Sequence, residues 1–183
     1  MRDILKFFIY YSLVILISSC AAQDRDAKSV YENKESFLRD FKNTSVIRSR
    51  GKNIIELSYR SDGLINKFYF EKQENNIFKL TKDTIQFDLK DAIATRSINR
   101  EDTIAYNSQM TAMLNRYINK MDSLNIRDIS TQFYLQGIDS KIYFNSSNNL
   151  LYVSDLKRVK NKEWTNFLRK CEKFDRNWYY EEN

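Results

Sequence analysis

Residues 54–90 alternate between apolar and polar side chains over four successive segments, and this alternation constrains the fold more than any other feature. In the first segment, Ile55, Leu57 and Tyr59 are separated by polar neighbours. A period of two is typical of strands that bury one face. Turn-forming or polar residues separate the segments. The pattern therefore predicts a meander of four antiparallel strands, at residues 54–60, 64–71, 77–81 and 84–90.

Three further segments have the period of a helix, with apolar residues recurring every three or four positions. They lie at residues 28–41, 110–124 and 164–174. Alternation at 129–135 and the apolar runs at 141–144 and 150–153 predict three more strands. Strand blocks alternating with single helices predict an α+β fold. We expect one domain over residues 29–183, in which an antiparallel sheet of about seven strands forms two meander blocks, with about three helices packed on one face.

The composition excludes several kinds of chemistry. The chain has no histidine, which excludes His-dependent triads, general bases and metal sites. Cys171 lies on the apolar stripe of the last predicted helix, so we expect a buried core residue instead of a nucleophile. The three glycines form no phosphate-binding pattern. We therefore expect no metal site, no cofactor and no catalytic residue of these kinds.

Carboxylates leave one enzymatic alternative open. Some glycosidases need two carboxyl groups at a set separation across a cleft, and one sequence does not show which acids meet. Solvated surface acids are the simpler interpretation. The acids near predicted turns or element ends are Asp83, Asp88, Asp139, Asp155 and Asp175.

The N-terminus has the organisation of a secretory signal. Arg2 and Lys6 precede an apolar run at residues 7–17, and Ser18 and Ser19 follow it. A basic start, a short apolar run and small residues are typical of such signals. The run is too short for a comfortable bilayer span, which needs roughly 20 residues in a helix.

The next residue, Cys20, gives this signal a more specific interpretation. The four residues Ile17-Ser18-Ser19-Cys20 resemble the lipobox of bacterial lipoproteins. The resemblance implies a signal peptide at 1–19, cleavage before Cys20, and acylation of that cysteine and the new terminus by chains such as palmitate. Residues 20–28 would then be the lipidated cysteine and a tether. The alternatives are an ordinary signal peptide with an incidental cysteine and an uncleaved anchor helix.

The residue after the cysteine bears on localisation. By resemblance to the sorting rule of Gram-negative lipoproteins, Ala21 at this position implies release to the outer membrane. The periplasmic and the surface face both stay open. The membrane itself is then the first expected partner, through the N-terminal lipid.

The net charge is +6, from 30 basic and 24 acidic side chains. We interpret this mild excess as spread along the chain and mainly as a contribution to solubility. It would suit an anionic membrane surface or a glycan. We expect no nucleic-acid partner, because the sequence shows no binding motif and no basic cluster.

The most distinctive aromatic cluster is Trp178-Tyr179-Tyr180, near the C-terminus. If exposed, such rings would stack on sugars or anchor a protein interface. In the alternative interpretation, Trp178 and Tyr180 pack inward as a short closing strand, and Tyr179 caps the sheet edge.

Three short segments resemble the acceptor for O-glycosylation of exported proteins in one group of Gram-negative bacteria. They are Asp83-Thr84-Ile85, Asp102-Thr103-Ile104 and Asp122-Ser123-Leu124. The resemblance implies modification of Thr84, Thr103 and Ser123. Chance occurrence is the alternative for a pattern of three residues.

These features together favour an envelope-anchored binding or interaction module that holds a protein partner or a glycan on its sheet face. The alternatives are a carboxylate-dependent hydrolase of an envelope polysaccharide and an immunity-type lipoprotein that neutralises a toxin. A cleft with two converging acids would indicate the enzyme. An exposed aromatic or apolar patch would indicate the binding module.

Overall fold

The ten strands described here form one antiparallel sheet. The computed structural model describes residues 27–49, 53–61, 64–74, 77–87, 93–95, 103–131, 140–145 and 149–181. In chain order the strands are β1 (Thr44–Arg48), β2 (Ile54–Ser61), β3 (Leu64–Lys72), β4 (Phe78–Phe87), β5 (Ile93–Thr95), β6 (Asp128–Ser130), β7 (Ser140–Asn145), β8 (Asn149–Val153), β9 (Glu172–Lys173) and β10 (Trp178–Glu181). Their order across the sheet is β5-β4-β3-β2-β1-β6-β7-β8-β10-β9.

The described ranges contain fewer helices than strands. They are α1 (Lys34–Asp40), α2 (Thr103–Asp122), α3 (Lys162–Lys170) and a 3₁₀-helix at Leu156–Arg158. Residues 27–32 are also helical and lead into α1 through a turn at Asn33. The side chain of Asn161 caps α3 by accepting hydrogen bonds from the backbone N–H groups of Glu163 and Trp164, at 2.9 and 3.3 Å.

The predicted α+β class and the two meander blocks are confirmed, and the strand count rises to ten. Four strands were not among the seven predicted ones: β1, β5 and β9, and β10, which had been only an alternative interpretation. Conversely, the two segments predicted at 77–81 and 84–90 form the single strand β4 over their described part. Of the strand predicted at 129–135, residues 132–135 lie outside the described ranges.

A β-bulge explains why β4 resembles two strands in the sequence. Phe70 pairs with Leu80 but Tyr69 pairs with Lys82, so Thr81 is an extra residue opposite β3. Its hydroxyl donates to the carbonyl oxygen of Tyr69 at 3.0 Å. An extra residue shifts the phase of the alternation without ending the strand. As a result, Asp83 lies on the same side of the sheet as Leu80.

The two blocks join where β1 pairs with β6, at Val46 and Ile129. Side chains extend this short pairing on both sides. The backbone N–H of Thr131 donates to Ser45 Oγ at 2.8 Å, and the N–H of Arg48 donates to Asp128 Oδ1 at 2.6 Å. The sheet is therefore continuous across the junction.

Helix α2 connects the outer edge of the first block to this junction. Its 20 residues span about 30 Å, and five strand spacings separate β5 from β6, or about 24 Å. The helix ends where Asn125 adopts a positive φ of 52°. The N–H of Ile126 then donates to the carbonyl oxygen of Met121 at 2.9 Å, which turns the chain towards β6.

Helices pack on both faces of the sheet, which corrects the expectation that they share one face. Helices α1 and α2 cover one face, where the predicted stripe of α2 is buried at Met110, Leu114, Ile118 and Met121. Helix α3 packs on the opposite face of the second block. There its side chains Trp164, Phe167 and Leu168 contact a second apolar cluster made by Leu151, Val153, Val159 and Tyr179.

Candidate functional site

A cleft of about 400 Å³ lies between the second half of α2 and one end of the first strand block. Its floor is apolar and its walls carry amides and charges. The polar lining residues are Arg48, Asn53, Lys72, Asn115, Asn119 and Asp122, and the apolar ones are Ile54, Ile55, Phe78 and Ile118.

The antiparallel topology brings these residues together. Neighbouring strands run in opposite directions, so β1 and β3 finish at the same end of the block at which β2 and β4 begin. Arg48 and Lys72 are the last residues of β1 and β3. Phe78 is the first residue of β4. Residues far apart in the sequence therefore line one cleft.

Arg48 is the most constrained polar residue of this cleft. Its guanidinium pairs with Asp122 at the end of α2. Its Nε is buried and, within the part of the chain that the structure describes, has no hydrogen-bond partner. A buried N–H without an acceptor is unfavourable, and the partly exposed remainder of the Arg48 side chain is what a ligand in the cleft would contact.

A second cleft of about 590 Å³ continues along the same helix. The two clefts share Phe78 and Asn115. The hydroxyl of Thr111 donates to the carbonyl oxygen of Phe78 at 3.3 Å and fixes α2 against the start of β4. We call the two clefts together the α2 groove. Its second half is lined by Gln73, Ile77, Lys79, Leu80, Asn107, Ser108, Thr111 and Ala112, besides the shared residues.

One flank of α2 supplies the polar wall of the α2 groove. Asn107, Thr111, Asn115 and Asn119 recur every four residues, so they follow one another along the helix. The opposite flank faces α1, where Lys120 contacts Asp40 and donates to Ser36 Oγ at 3.0 Å. The hydrogen bond from Lys120 lowers the pKa of Asp40 against the effect of burial.

Sequence reasoning did not find the α2 groove. The sequence signal was there, because amide and hydroxyl side chains at intervals of four flank the predicted apolar stripe. Such residues are equally typical of a solvated helix face. Only the position of Arg48 and Lys72 beside these side chains distinguishes the wall of a binding groove from a solvated helix face.

The carboxylates considered for hydrolysis do not meet in the described structure. Asp83 is buried below α2, where its Oδ2 accepts the phenolic hydrogen of Tyr106 at 2.7 Å. Asp155 is exposed and caps the 3₁₀-helix through the backbone N–H of Lys157, at 3.0 Å. Asp175 lies in the turn before β10. Asp88 and Asp139 lie outside the described residues.

The structure buries the C-terminal aromatic cluster. Trp178, Tyr179 and Tyr180 retain only 1%, 1% and 6% of their exposure. Trp178 and Tyr180 point into the core under α1, whereas Tyr179 points to the opposite face and packs under α3. These rings therefore form a closing strand and present no exposed surface to a sugar or protein. Tyr179 is an interior residue and does not cap the edge.

The other singled-out residues have different surroundings. Thr84 is 2% exposed within β4, which leaves no room for a glycan on its hydroxyl. Ser123 is exposed in the turn after α2 and stays a predicted acceptor. The side chain of Thr103 and the whole of Cys20 lie outside what the structure describes. Cys171 follows α3 and is partly buried, and burial raises the pKa of its thiol to about 11.

Positive charge is concentrated in one segment, contrary to the expectation of an even spread. Residues 156–176 contain eight basic and three acidic side chains, whereas the remainder of the chain is nearly balanced, with 22 basic and 21 acidic residues. All eight basic residues are exposed. We call this stretch the basic segment.

The described ranges contain neither a metal-binding cluster nor a membrane-spanning helix. No group of three or more Cys, Asp or Glu residues there is placed to hold a metal ion. No helix within those ranges combines the length and apolar character needed to cross a bilayer.

Comparison with known proteins adds no relative. No family model, curated protein or solved structure matches this chain.

Proposed function

We propose that this chain is a lipoprotein of the bacterial cell envelope whose domain is a binding module. Acyl chains on Cys20 would hold it in the outer membrane, as the resemblance of Ile17-Ser18-Ser19-Cys20 to a lipobox implies. More than one acyl chain is needed for durable attachment. The α2 groove would take the ligand.

The observation that carries the binding role is the lining of the α2 groove. Two cations, Arg48 and Lys72, lie with three amides around an apolar floor. The carboxylate at this end, Asp122, is already paired with Arg48. This arrangement suits recognition of a ligand better than acid–base hydrolysis, which needs two carboxyl groups with different protonation states across the cleft.

The chemistry of the lining favours a hydroxyl-rich ligand that carries an acidic group. Amide side chains both donate and accept hydrogen bonds, as sugar hydroxyls require. Arg48 and Lys72 would hold a carboxylate or phosphate through charge-assisted hydrogen bonds. The polar wall from Asn107 to Asn119 is about 18 Å long, which fits several sugar rings. An acidic glycan of the envelope is therefore the proposed ligand class.

Binding of envelope oligosaccharides tests this proposal. The purified protein would be titrated with neutral and acidic oligosaccharide fractions of its own envelope, and complexes would be measured by native mass spectrometry. We expect binding of the acidic fraction. The double variant Lys72→Gln/Asn119→Ala should weaken it about tenfold or more, as expected for loss of a hydrogen bond to a charged group. Arg116→Ala, on the exposed side of α2, is the matched control and should bind normally.

Two results would contradict the proposal. Absence of binding in both fractions would remove the assigned ligand class. Release of new reducing ends during incubation would indicate the polysaccharide hydrolase instead, and the variants of the α2 groove would then be assayed for activity.

A further inference from the structure

The basic segment forms a fixed surface of the domain. It comprises the 3₁₀-helix, α3, β9 and the turn before β10. Two residues of this segment, Val159 and Leu168, are buried in the second apolar cluster. Its charged side chains are therefore carried on packed elements, at the edge of the sheet that β9 forms.

Three of these cations surround one pocket. Lys157, Lys173 and Arg176 line a pocket of about 580 Å³, together with Asp155 and the ring of Tyr179. Lys173 Nζ lies 5.3 Å from the centre of that ring. Three cations against one carboxylate make this pocket a site for anionic groups.

The N-terminal part of the described chain is attached to the same turn. The ring of Tyr31 stacks on Phe174 with centroids 4.9 Å apart, and its hydroxyl donates to Asp175 Oδ2 at 2.9 Å. Phe174 and Asp175 lie between Lys173 and Arg176 in the sequence. The first described residues, 27–31, therefore lie beside the basic segment.

The distance to the expected anchor is short. Seven residue steps separate Cys20 from Ala27, the first described residue, and even a fully extended chain covers only about 25 Å over that length. Ala27 is itself buried in the core, about one helical turn before Tyr31. An anchored domain is thus held close to the bilayer by the edge of the sheet at which the basic segment lies, with residues 27–32 on the α1 face of that edge and α3 on the opposite face.

We propose that the basic segment docks on the anionic headgroups of the membrane that holds the protein. This inference rests on the proposed lipid anchor at Cys20. Clustered Lys and Arg residues next to a membrane anchor are attracted by anionic lipids within a Debye length of the surface. Docking at β9 would place β3 and the α2 groove seven strand spacings away, or roughly 34 Å from the headgroups, where a ligand can enter.

Lysine labelling of the anchored protein tests the docking. The full lipoprotein would be reconstituted in phosphatidylcholine vesicles, with or without phosphatidylglycerol, and its amines would be labelled and located by mass spectrometry. We expect Lys160, Lys162 and Lys170 to react several-fold more slowly on the anionic vesicles. The difference should vanish in about 0.5 M salt, where the Debye length is roughly 4 Å.

A matched pair of variants separates the effect of charge in the basic segment from that of charge elsewhere. Lys157→Gln/Lys173→Gln/Arg176→Gln should lose the protection of the remaining lysines. Lys42→Gln/Lys82→Gln/Arg116→Gln removes the same charge from exposed positions outside the basic segment and should keep it. Equal melting temperatures of the two variants would show that both are folded.

The possible results distinguish a failure of the docking from a failure of the proposed lipid anchor. Labelling that is equal on neutral and anionic vesicles overturns the docking while the protein stays attached to both. Protection produced by an added oligonucleotide, but not by anionic lipid, would overturn it in favour of nucleic acid. If the protein fails to remain on neutral vesicles, the anchor is wrong. The docking is then tested by sedimentation with anionic vesicles. The wild-type protein must sediment with them, and the variant Lys157→Gln/Lys173→Gln/Arg176→Gln must not.

Discussion

The hydroxyl of Tyr31 donates a hydrogen bond to Asp175 Oδ2 across 144 residues of sequence, at 2.9 Å. Asp175 also accepts from Lys34 Nζ at 3.3 Å and from the backbone N–H groups of Asn177 and Trp178, at 2.8 and 3.1 Å. One carboxylate therefore fastens the first helical segment to the turn that starts the last strand. It links the part of the chain nearest the proposed anchor to the sheet.

This linkage predicts a measurable coupling between the two ends of the domain. Asp175→Ala leaves four donors without their acceptor and should lower the free energy of unfolding by about 2–3 kcal/mol. Tyr31→Phe should cost about 1 kcal/mol, since only one hydrogen bond is lost. Urea unfolding of both variants and the double variant gives the coupling energy. Strictly additive losses would show that the two side chains do not interact.

The stability of the domain should fall in acid. Burial alone would raise the pKa of Asp175, but hydrogen bonds from Asn177, Tyr31 and Lys34 outweigh it and hold the pKa below its ordinary value. The pKa of Asp40 is lowered too, by Lys120. Near the ordinary value of about 3.9, the unfolded chain therefore binds more protons at these sites than the folded one does.

The direction of the pH dependence follows from this difference in bound protons. The stabilisation is present above the pKa values of the unfolded state, and it is lost as the pH falls through the lower pKa values of the folded state. We expect the free energy of unfolding to decrease below about pH 4, and to decrease less steeply in Asp175→Asn. Urea titrations at several pH values measure this. A free energy that stays level or rises on acidification would contradict the assignment.

Trp178 is predicted to be a core residue. Replacing it with alanine should cost about 3–5 kcal/mol, the range for emptying a buried aromatic site. Trp164→Ala is the internal comparison and should cost less, since that ring is only partly buried where α3 packs against the second apolar cluster. Denaturant unfolding measures both. A nearly unchanged stability of Trp178→Ala would show that the ring is exposed after all.

Cys171 is predicted to react slowly. A pKa of about 11 leaves roughly a hundredfold less thiolate at pH 8 than an ordinary cysteine has. The higher intrinsic nucleophilicity of a more basic thiolate offsets about a factor of ten. We therefore expect iodoacetamide to modify the folded protein about tenfold more slowly than the urea-unfolded chain. Equal rates would show that the thiol is neither buried nor perturbed.

Local periodicity was enough to predict the elements that depend on one strong pattern. The stripe from Met110 to Met121 specifies α2 because about three turns of contact with the sheet need apolar residues at those positions only. Residues 54–71 specify β2 and β3 in the same way. Both kinds of element bury one face, so their sequence carries a single clear period.

The remaining features depend on relations that periodicity does not contain. The extra residue Thr81 in β4 changes the phase of its alternation and was read as a break. The side of the sheet that α3 covers is set by Tyr179 and Leu151, which point away from the face under α1. The α2 groove needs Arg48 and Lys72 to meet beside α2, which only the strand order determines.

The mass of the N-terminal peptide from the membrane fraction is the decisive test of the lipid anchor. We predict a peptide that begins at Cys20 and carries acyl chains, and its loss in Cys20→Ser. A control variant, Cys171→Ser, should leave that peptide unchanged. An unmodified peptide that begins at another residue would contradict the lipoprotein assignment, and the membrane docking of the basic segment would then lose its anchor.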